Sequence, residues 1–460
     1  MLIVLLTIGV VTNRVEAVDV SPPLPFGAVP TARQLAWHKT ELIGFCHFTV
    51  DTFTGREWGL GSEAEAVFNP TNFDADQIVQ AFASAGIKEL ILTCKHHDGF
   101  CLWPSQFTTH SVKQSPWKNG TGDVVREISD TCHRHGLKFG IYLSPWDRNS
   151  ALYGRPEYVT YYRNQLRELL THYGPISEVW LDGANGGDGY YGGAREKRVI
   201  DKQTYYDWPR TWELVRQLQP GAVIFSDVGP DLRWVGNEDG TAGDPCWATY
   251  DPVGEDGGLA SPGNVRAKDS MTGTRWGSQW MPAECDVSIR PGWFWHAAEN
   301  VKVKTPGQLL DLYYKSVGRC ASLLLNVPPN RKGQLSREDL DSLRGFQKLR
   351  QAAMSENLAA GADLKRSGKT WNYRLKSPRA FDLLRLREKT EFGQRIERVE
   401  IEARLRGQWS SAGSVTSVGA CRLLRFPDVI TTDELRLKIT ASAEPRLHEL
   451  ELFRNQESRS

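Results

Sequence analysis

From about residue 40 to residue 345, short apolar runs alternate with amphipathic segments, and this rhythm constrains the fold more than any other feature of the chain. Runs of that length, rich in β-branched, leucine and aromatic residues, read as strands. The segments between them repeat apolar residues at helical spacing. Such strand and helix alternation builds a parallel sheet covered on both faces. The candidate strands are 43–48, 89–93, 138–143, 177–181, 222–226 and 322–327, and two more belong in the irregular stretch between 231 and 300. Helices are expected over 76–85, 122–135, 156–171 and 205–218, two of them closed by Ala85-Gly86 and Tyr173-Gly174. The fold expected is a closed, TIM-like (β/α)8 barrel.

After residue 347 the pattern changes to helical text up to Ala360 and then to short alternating segments at 381–386, 398–403, 435–439 and 447–452. These predict a small C-terminal antiparallel β-sandwich over 348–460, packed on a catalytic barrel over 18–347. At the other end, residues 2–11 are apolar, a run shorter than the ~20 residues that span a bilayer. Val15-Glu16-Ala17 supplies a small-residue cleavage site. Residues 1–17 therefore read as a signal peptide, and the product as secreted or otherwise extracytoplasmic: periplasmic, or lysosomal or extracellular in a eukaryote. No membrane span is expected downstream.

Lys and Arg number 56 against 55 Asp and Glu, which gives no electrostatic footprint for nucleic acid or an anionic membrane and suits an uncharged partner. The 16 Trp, 14 Tyr and 17 Phe can fill a barrel, and some can cover the apolar faces of sugars. Eight cysteines lie scattered without a C-x-x-C pair, so structural zinc is not expected, and both disulfides and buried thiols stay open. No cofactor is called for.

Several candidate strands run directly into polar or aromatic residues: His47; Lys95-His96-His97-Asp98; Tyr142 with Trp146-Asp147; and Asp182. In (β/α)8 barrels the active site is assembled from the C-terminal strand ends and the loops after them, so these residues read as a catalytic rim. Cleavage of a glycosidic bond needs one ionised carboxylate and one protonated acid across the anomeric carbon. Asp182, followed by Gly183, suits the first. Glu238, in a long loop after the fifth strand, is preferred for the second because a mobile loop can desolvate an acid and raise its pKa when substrate binds. Glu284 is the rival. Adjacent histidines on a strand point to opposite sides and chelate poorly. His96 and His97 fit better as neutral imidazoles bonded to sugar hydroxyls, their tautomers fixed by Asp98 or by backbone.

With Gly44-Phe45-Cys46-His47-Phe48, Glu57-Trp58, Lys95-His96-His97-Asp98-Gly99-Phe100, Gly140-Ile141-Tyr142-Leu143-Ser144 and Val179-Trp180-Leu181-Asp182-Gly183, the chain resembles glycoside hydrolase family 29, the α-L-fucosidases, over about residues 30–345. The resemblance implies that Asp182 is the nucleophile of a retaining double displacement and that His47, Glu57, Trp58, His96, His97 and Tyr142 hold fucose. Trp293 or Trp295 would give part of the apolar wall for the C5 methyl. Gly236-Asn237-Glu238 and the Glu284–Trp293 stretch are similar to the subgroup acting on α-1,3 and α-1,4 linkages of branched glycans. That places Glu238 as acid/base and Glu284 near the substrate; if the subgroup does not hold, Glu284 takes the acid role. The expected partner is a fucosylated oligosaccharide or glycoprotein glycan. The segment after His47 departs from the family's usual His-Trp-Gly. Two other readings stand beside this one: a non-catalytic fucose-binding barrel, and a metal-dependent barrel hydrolase using His96 and His97.

Overall fold

The computed structural model describes residues 24–454; the expected signal peptide lies outside them. Eight parallel strands close a barrel in chain order: β1 (Leu42–Cys46), β2 (Glu89–Lys95), β3 (Lys138–Leu143), β4 (Glu178–Trp180), β5 (Val223–Ser226), β6 (Leu232–Trp234), β7 (Ala283–Ser288) and β8 (Ser322–Asn326), with β1 pairing both β2 and β8. Alternation along each strand divides the core. Ile43, Phe45, Ile91, Tyr142, Trp180, Phe225 and Leu324 fill the barrel interior. Leu42, Cys46, Leu90, Leu92 and Ile141 face the surrounding helices.

Those helices include α1 (Ala32–His38), α2 (Ala75–Ser84), α3 (Val124–His135), α4 (Glu157–His172), α5 (Trp208–Leu218), α6 (Pro306–Lys315) and α7 (Arg337–Ala353). Their ends follow local chemistry. Asp74 and Asp123 accept from the third backbone N–H of α2 and α3, Thr305 and Gln308 form a capping box on α6, and Gly136 closes α3 in the left-handed conformation. Gly44 is required by packing, because a Cβ there would lie 2.5 Å from Phe82 of α2.

The six barrel strands given bounds from the sequence appear within two residues of their predicted ends, and the irregular pair resolves as β6 and β7. Between β5 and β6 no helix intervenes, only residues 227–231. Buried Asp231 pairs there with Arg33 and Arg216, closing a wall that a helix would otherwise cover. The connection from β6 to β7 is a long excursion. It contains the short helix Ala267–Thr272 and a two-stranded pairing of Thr249–Tyr250 with Gln279–Trp280.

The C-terminal part is an antiparallel domain of β9 (Asp363–Ser367), β10 (Thr370–Glu388), β11 (Ile396–Leu405), β12 (Gln408–Val415), β13 (Arg422–Ala441) and β14 (Leu447–Phe453). All six belong to one hydrogen-bonded sheet, through which β10 and β13 run at full length with register shifts. Leu383, Cys421, Leu423 and Phe453 are part of the barrel's outer core. Arg387 reaches Glu41 at 2.7 Å, and Arg422 reaches Asp244 at 2.8 Å. All eight cysteines are buried free thiols, which decides between the two expectations above. Among the described residues no helix is long and apolar enough to cross a membrane.

Candidate active site

At the C-terminal end of the barrel a cavity is lined by Phe45, His47, Trp58, His96, His97, Tyr142, Trp180, Asp182, Ala184, Glu238, Asp286 and Trp293. Its floor is aromatic, because the inward residues of β1, β3, β4 and β5 stack on one another. Trp180 lies on Phe225 at 4.2 Å between ring centres and beside Tyr142 at 5.3 Å.

Asp182 stands just past β4. Its Oδ2 accepts from the Tyr142 hydroxyl at 2.8 Å, and its Oδ1 accepts from the backbone N–H of Ala184 at 2.7 Å. These two donors fix the orientation of the carboxylate. Across the cavity Glu238 accepts from the Trp293 indole N–H at 3.2 Å, and its pKa is raised by burial with a further push from Asp182. One held carboxylate and one acid inclined to keep its proton therefore share a single site.

Burial favours the neutral form of the cavity histidines, holding the pKa of His47 and His97 far below, and that of His96 below, the usual range. Their tautomers follow from their neighbours. His47 Nδ1 donates to Asn326 Oδ1 at 2.9 Å. The Ser144 hydroxyl gives its proton to Trp146 O at 2.7 Å, so it accepts from His97 Nδ1 at 2.7 Å. In both rings Nε2 is left as an acceptor, and that of His97 lies 3.9 Å from Asp182 Oδ2. Trp58 stands edge-on to His97 and Trp146, half exposed at the mouth.

Two expected residues lie elsewhere. Glu284 does not line the cavity. It is fully buried one layer down, bonded by the Trp180 indole N–H at 2.9 Å beside Glu178, and burial raises the pKa of both glutamates. As a candidate acid or substrate contact it is corrected by this placement, because Trp180 lies between it and the site. Glu57 also stands off the lining. Its carboxylate accepts from Trp293 N at 2.6 Å and pairs with His296 at 2.6 Å, bracing the loop after β7. Of the two tryptophans offered for the apolar wall, Trp293 is the one in the cavity. Trp295 donates to Ser336 in a wider groove alongside, where Glu338 is the sole acidic residue in the lining.

The residue that sequence reasoning missed is Asp286. It lines the cavity 3 % exposed, accepts from the Trp234 indole N–H at 3.0 Å, and is pushed well above the usual carboxyl range by burial and by Glu238. The only group of metal-ligand type among the described residues is Asp51, His96 and Asp98, whose donor atoms lie within 4.8 Å of one another. Both Asp98 oxygens already accept, from Thr49 Oγ1 at 2.8 Å and Phe100 N at 2.6 Å.

A sequence model described as alpha-L-fucosidase matches residues 33–349. The chain belongs to the glycoside hydrolase family 29 α-L-fucosidases. It is 42 % identical to Alpha-L-fucosidase 1 of Arabidopsis thaliana, over 94 % of this chain and 88 % of that protein. Its fold is similar to that of a glycoside hydrolase 29 family member from an unknown rumen bacterium, with a TM-score of 0.89, 43 % identity, and coverage of 94 % of this chain and 78 % of that one. A Ruminococcus gnavus GH29 fucosidase solved in complex with fucose is also similar, at a TM-score of 0.82 and 29 % identity, covering 95 % of this fucosidase and 97 % of the other.

Proposed function

We propose that this α-L-fucosidase is a retaining exo-enzyme that removes terminal L-fucose from α-1,3 and α-1,4 linkages of branched oligosaccharides or glycoprotein glycans. The observation that carries the reading is one cavity in which Asp182, held by Tyr142 and Ala184, shares space with Glu238, whose proton burial helps to retain. Asp182 attacks the anomeric carbon while Glu238 protonates the departing oxygen, giving a fucosyl ester on Asp182. Water, deprotonated by Glu238, then cleaves the ester and restores the carboxylate. Acceptor nitrogens of His47 and His97 suit sugar hydroxyls, and the Trp293, Phe45 and Trp180 rings suit the methyl of a 6-deoxy sugar. The linkage reading rests on the Gly236-Asn237-Glu238 and Glu284–Trp293 segments, and action outside the cytoplasm rests on the apolar run over 2–11.

Asp182→Asn is expected to lower turnover of an aryl α-L-fucoside by about 10³-fold or more while leaving the folded state intact by circular dichroism. Near-normal turnover would end the assignment. Hydrolysis of a panel of α-1,2, α-1,3, α-1,4 and α-1,6 fucosyl oligosaccharides, with the first-formed anomer followed by NMR, tests linkage and stereochemistry together. Release of β-fucose first, or preference for α-1,2 substrates, would overturn the corresponding part.

A further inference from the structure

Behind His96, away from the sugar side, lies a closed polar cell. Asp51 sits in the short helix Val50–Thr54, in the segment after His47 that departs from the family's usual sequence. It is fully buried, as is Asp98, and the two carboxyls lie against each other. Neither has a lysine or arginine partner among the described ion pairs. Burial pushes the pKa of each up to about 7, with the Asp51 charge adding to the rise at Asp98.

Open bonding capacity in this cell is confined to few atoms. Asp98 uses both oxygens on Thr49 and Phe100, and Asp51 Oδ2 accepts from Gly59 N at 3.0 Å. Asp51 Oδ1 and His96 Nδ1 are buried without a hydrogen-bond partner, and Nδ1 stands 3.7 Å from Oδ2, the other oxygen of the same carboxyl. Two unpaired buried atoms on neighbouring groups each carry a desolvation cost, which a small turn of the Asp51 carboxyl would remove for both if Nδ1 carries the proton. Gly59 explains the tightness of the cell, since a Cβ there would lie 2.4 Å from Asp51 Oδ1.

We infer that Asp51 is a positioning residue for His96: it receives the Nδ1 proton and so fixes the tautomer whose Nε2 faces the sugar as an acceptor. All three cavity histidines would then present the same face, an array of lone pairs that recognises hydroxyl donors. The charged groups around the cell are Glu57 and Glu63 toward Asp51, and Asp182 and Arg148 toward His96, with His47 and His97 flanking the ring. The inference rests on the fucosidase reading for the identity of the sugar, whereas the tautomer itself can be read without substrate.

The test uses the full chain labelled with 15N-histidine. In the wild type the His96 signals should be those of the Nδ1–H tautomer. Asp51→Asn, whose amide can donate to Nδ1, should convert them to Nε2–H and lower kcat/KM on an aryl fucoside by about tenfold to a hundredfold, mainly through KM. In a His96→Ala background the same change at Asp51 should cost less than about twofold, because the partner it positions is gone. An Nε2–H signal in the wild type would overturn the inference, even if Asp51→Asn does not fold. So would equal losses in both backgrounds, or one divalent ion per chain in the purified protein, which would make the cell a metal site. A wild type that turns over no fucoside would instead overturn the functional reading and leave the tautomer result standing.

Discussion

At the scale of single residues, Asp182 and Glu238 carry opposite requirements, and their surroundings supply them. The acid/base must keep its proton, so activity should fall as pH rises through the Glu238 pKa, which burial places above the ordinary glutamate range. The alkaline limb of kcat/KM for the wild type should therefore lie higher than for a solvated glutamate. Glu238→Gln should remove that limb and slow natural glycans by on the order of 10²–10⁴-fold, far more than aryl fucosides with good leaving groups. A pH profile of kcat/KM for both variants checks this, and an unchanged alkaline limb in Glu238→Gln would exclude the role. Motif text made Asp182, His47, His96, His97 and Tyr142 legible, because each follows or ends a strand whose apolar run is clear. Asp286 was not legible, although side chains two positions apart share a face. Glu284 and Asp286 both point inward from β7, and the deeper one stops under Trp180 while the one nearer the strand end reaches the cavity. Choosing by layer along the strand would have preferred Asp286.

At the scale of elements, β1, β2, β3, β4, β5 and β8 were readable because buried parallel strands are continuous apolar runs bounded by turns. β6 follows directly on Asp231 and is interrupted by Arg233, and β7 carries Glu284 and Asp286, so neither shows that signature. The loop after β7 takes its shape from ionic contacts rather than from apolar pattern. Arg290 and Asp339 are both fully buried and joined at 2.8 Å, tying that loop to α7. Asp339→Ala should leave the guanidinium buried and unpaired and cost about 3–5 kcal/mol of stability. Urea titration measures it, and a loss below about 1 kcal/mol would mean that the site relaxes or admits water.

At the scale of the whole molecule, buried ionisable groups set a pH window for stability. Asp51, Asp98, Asp227 and Glu388 are each raised to about 7 by burial, so between about pH 4 and 7 the folded chain holds protons that the unfolded chain has released. That contribution weakens the fold as pH rises through the window and is fully lost above it. His47, His96 and His97 are lowered and His38 is lowered to about 4, so below about 6.5 the unfolded chain takes up protons that the folded chain refuses. That contribution weakens the fold as pH falls. The two oppose each other in mild acid, but near pH 7 the histidine contribution has ended while the carboxyls are still losing their protons, so Tm should be higher at pH 6 than at pH 8. Calorimetric scans from pH 5.5 to 8.5 would show it, and a Tm still rising at pH 8 would contradict the balance. The barrel was legible as a whole because its alternation is periodic; the single continuous sheet at the C-terminus was not, since register between distant segments leaves no mark in local sequence.

Glu238 rides on the excursion that joins β6 to β7, whereas Asp182 and the histidines are anchored to the staves of the barrel. Recognition of the deoxyhexose and handling of whatever it is attached to are thereby housed on separable stretches of chain. Grafting a different 239–282 segment between the same two staves, with Glu238 kept, is a route to new glycan preferences that leaves the sugar clasp and the acid in place.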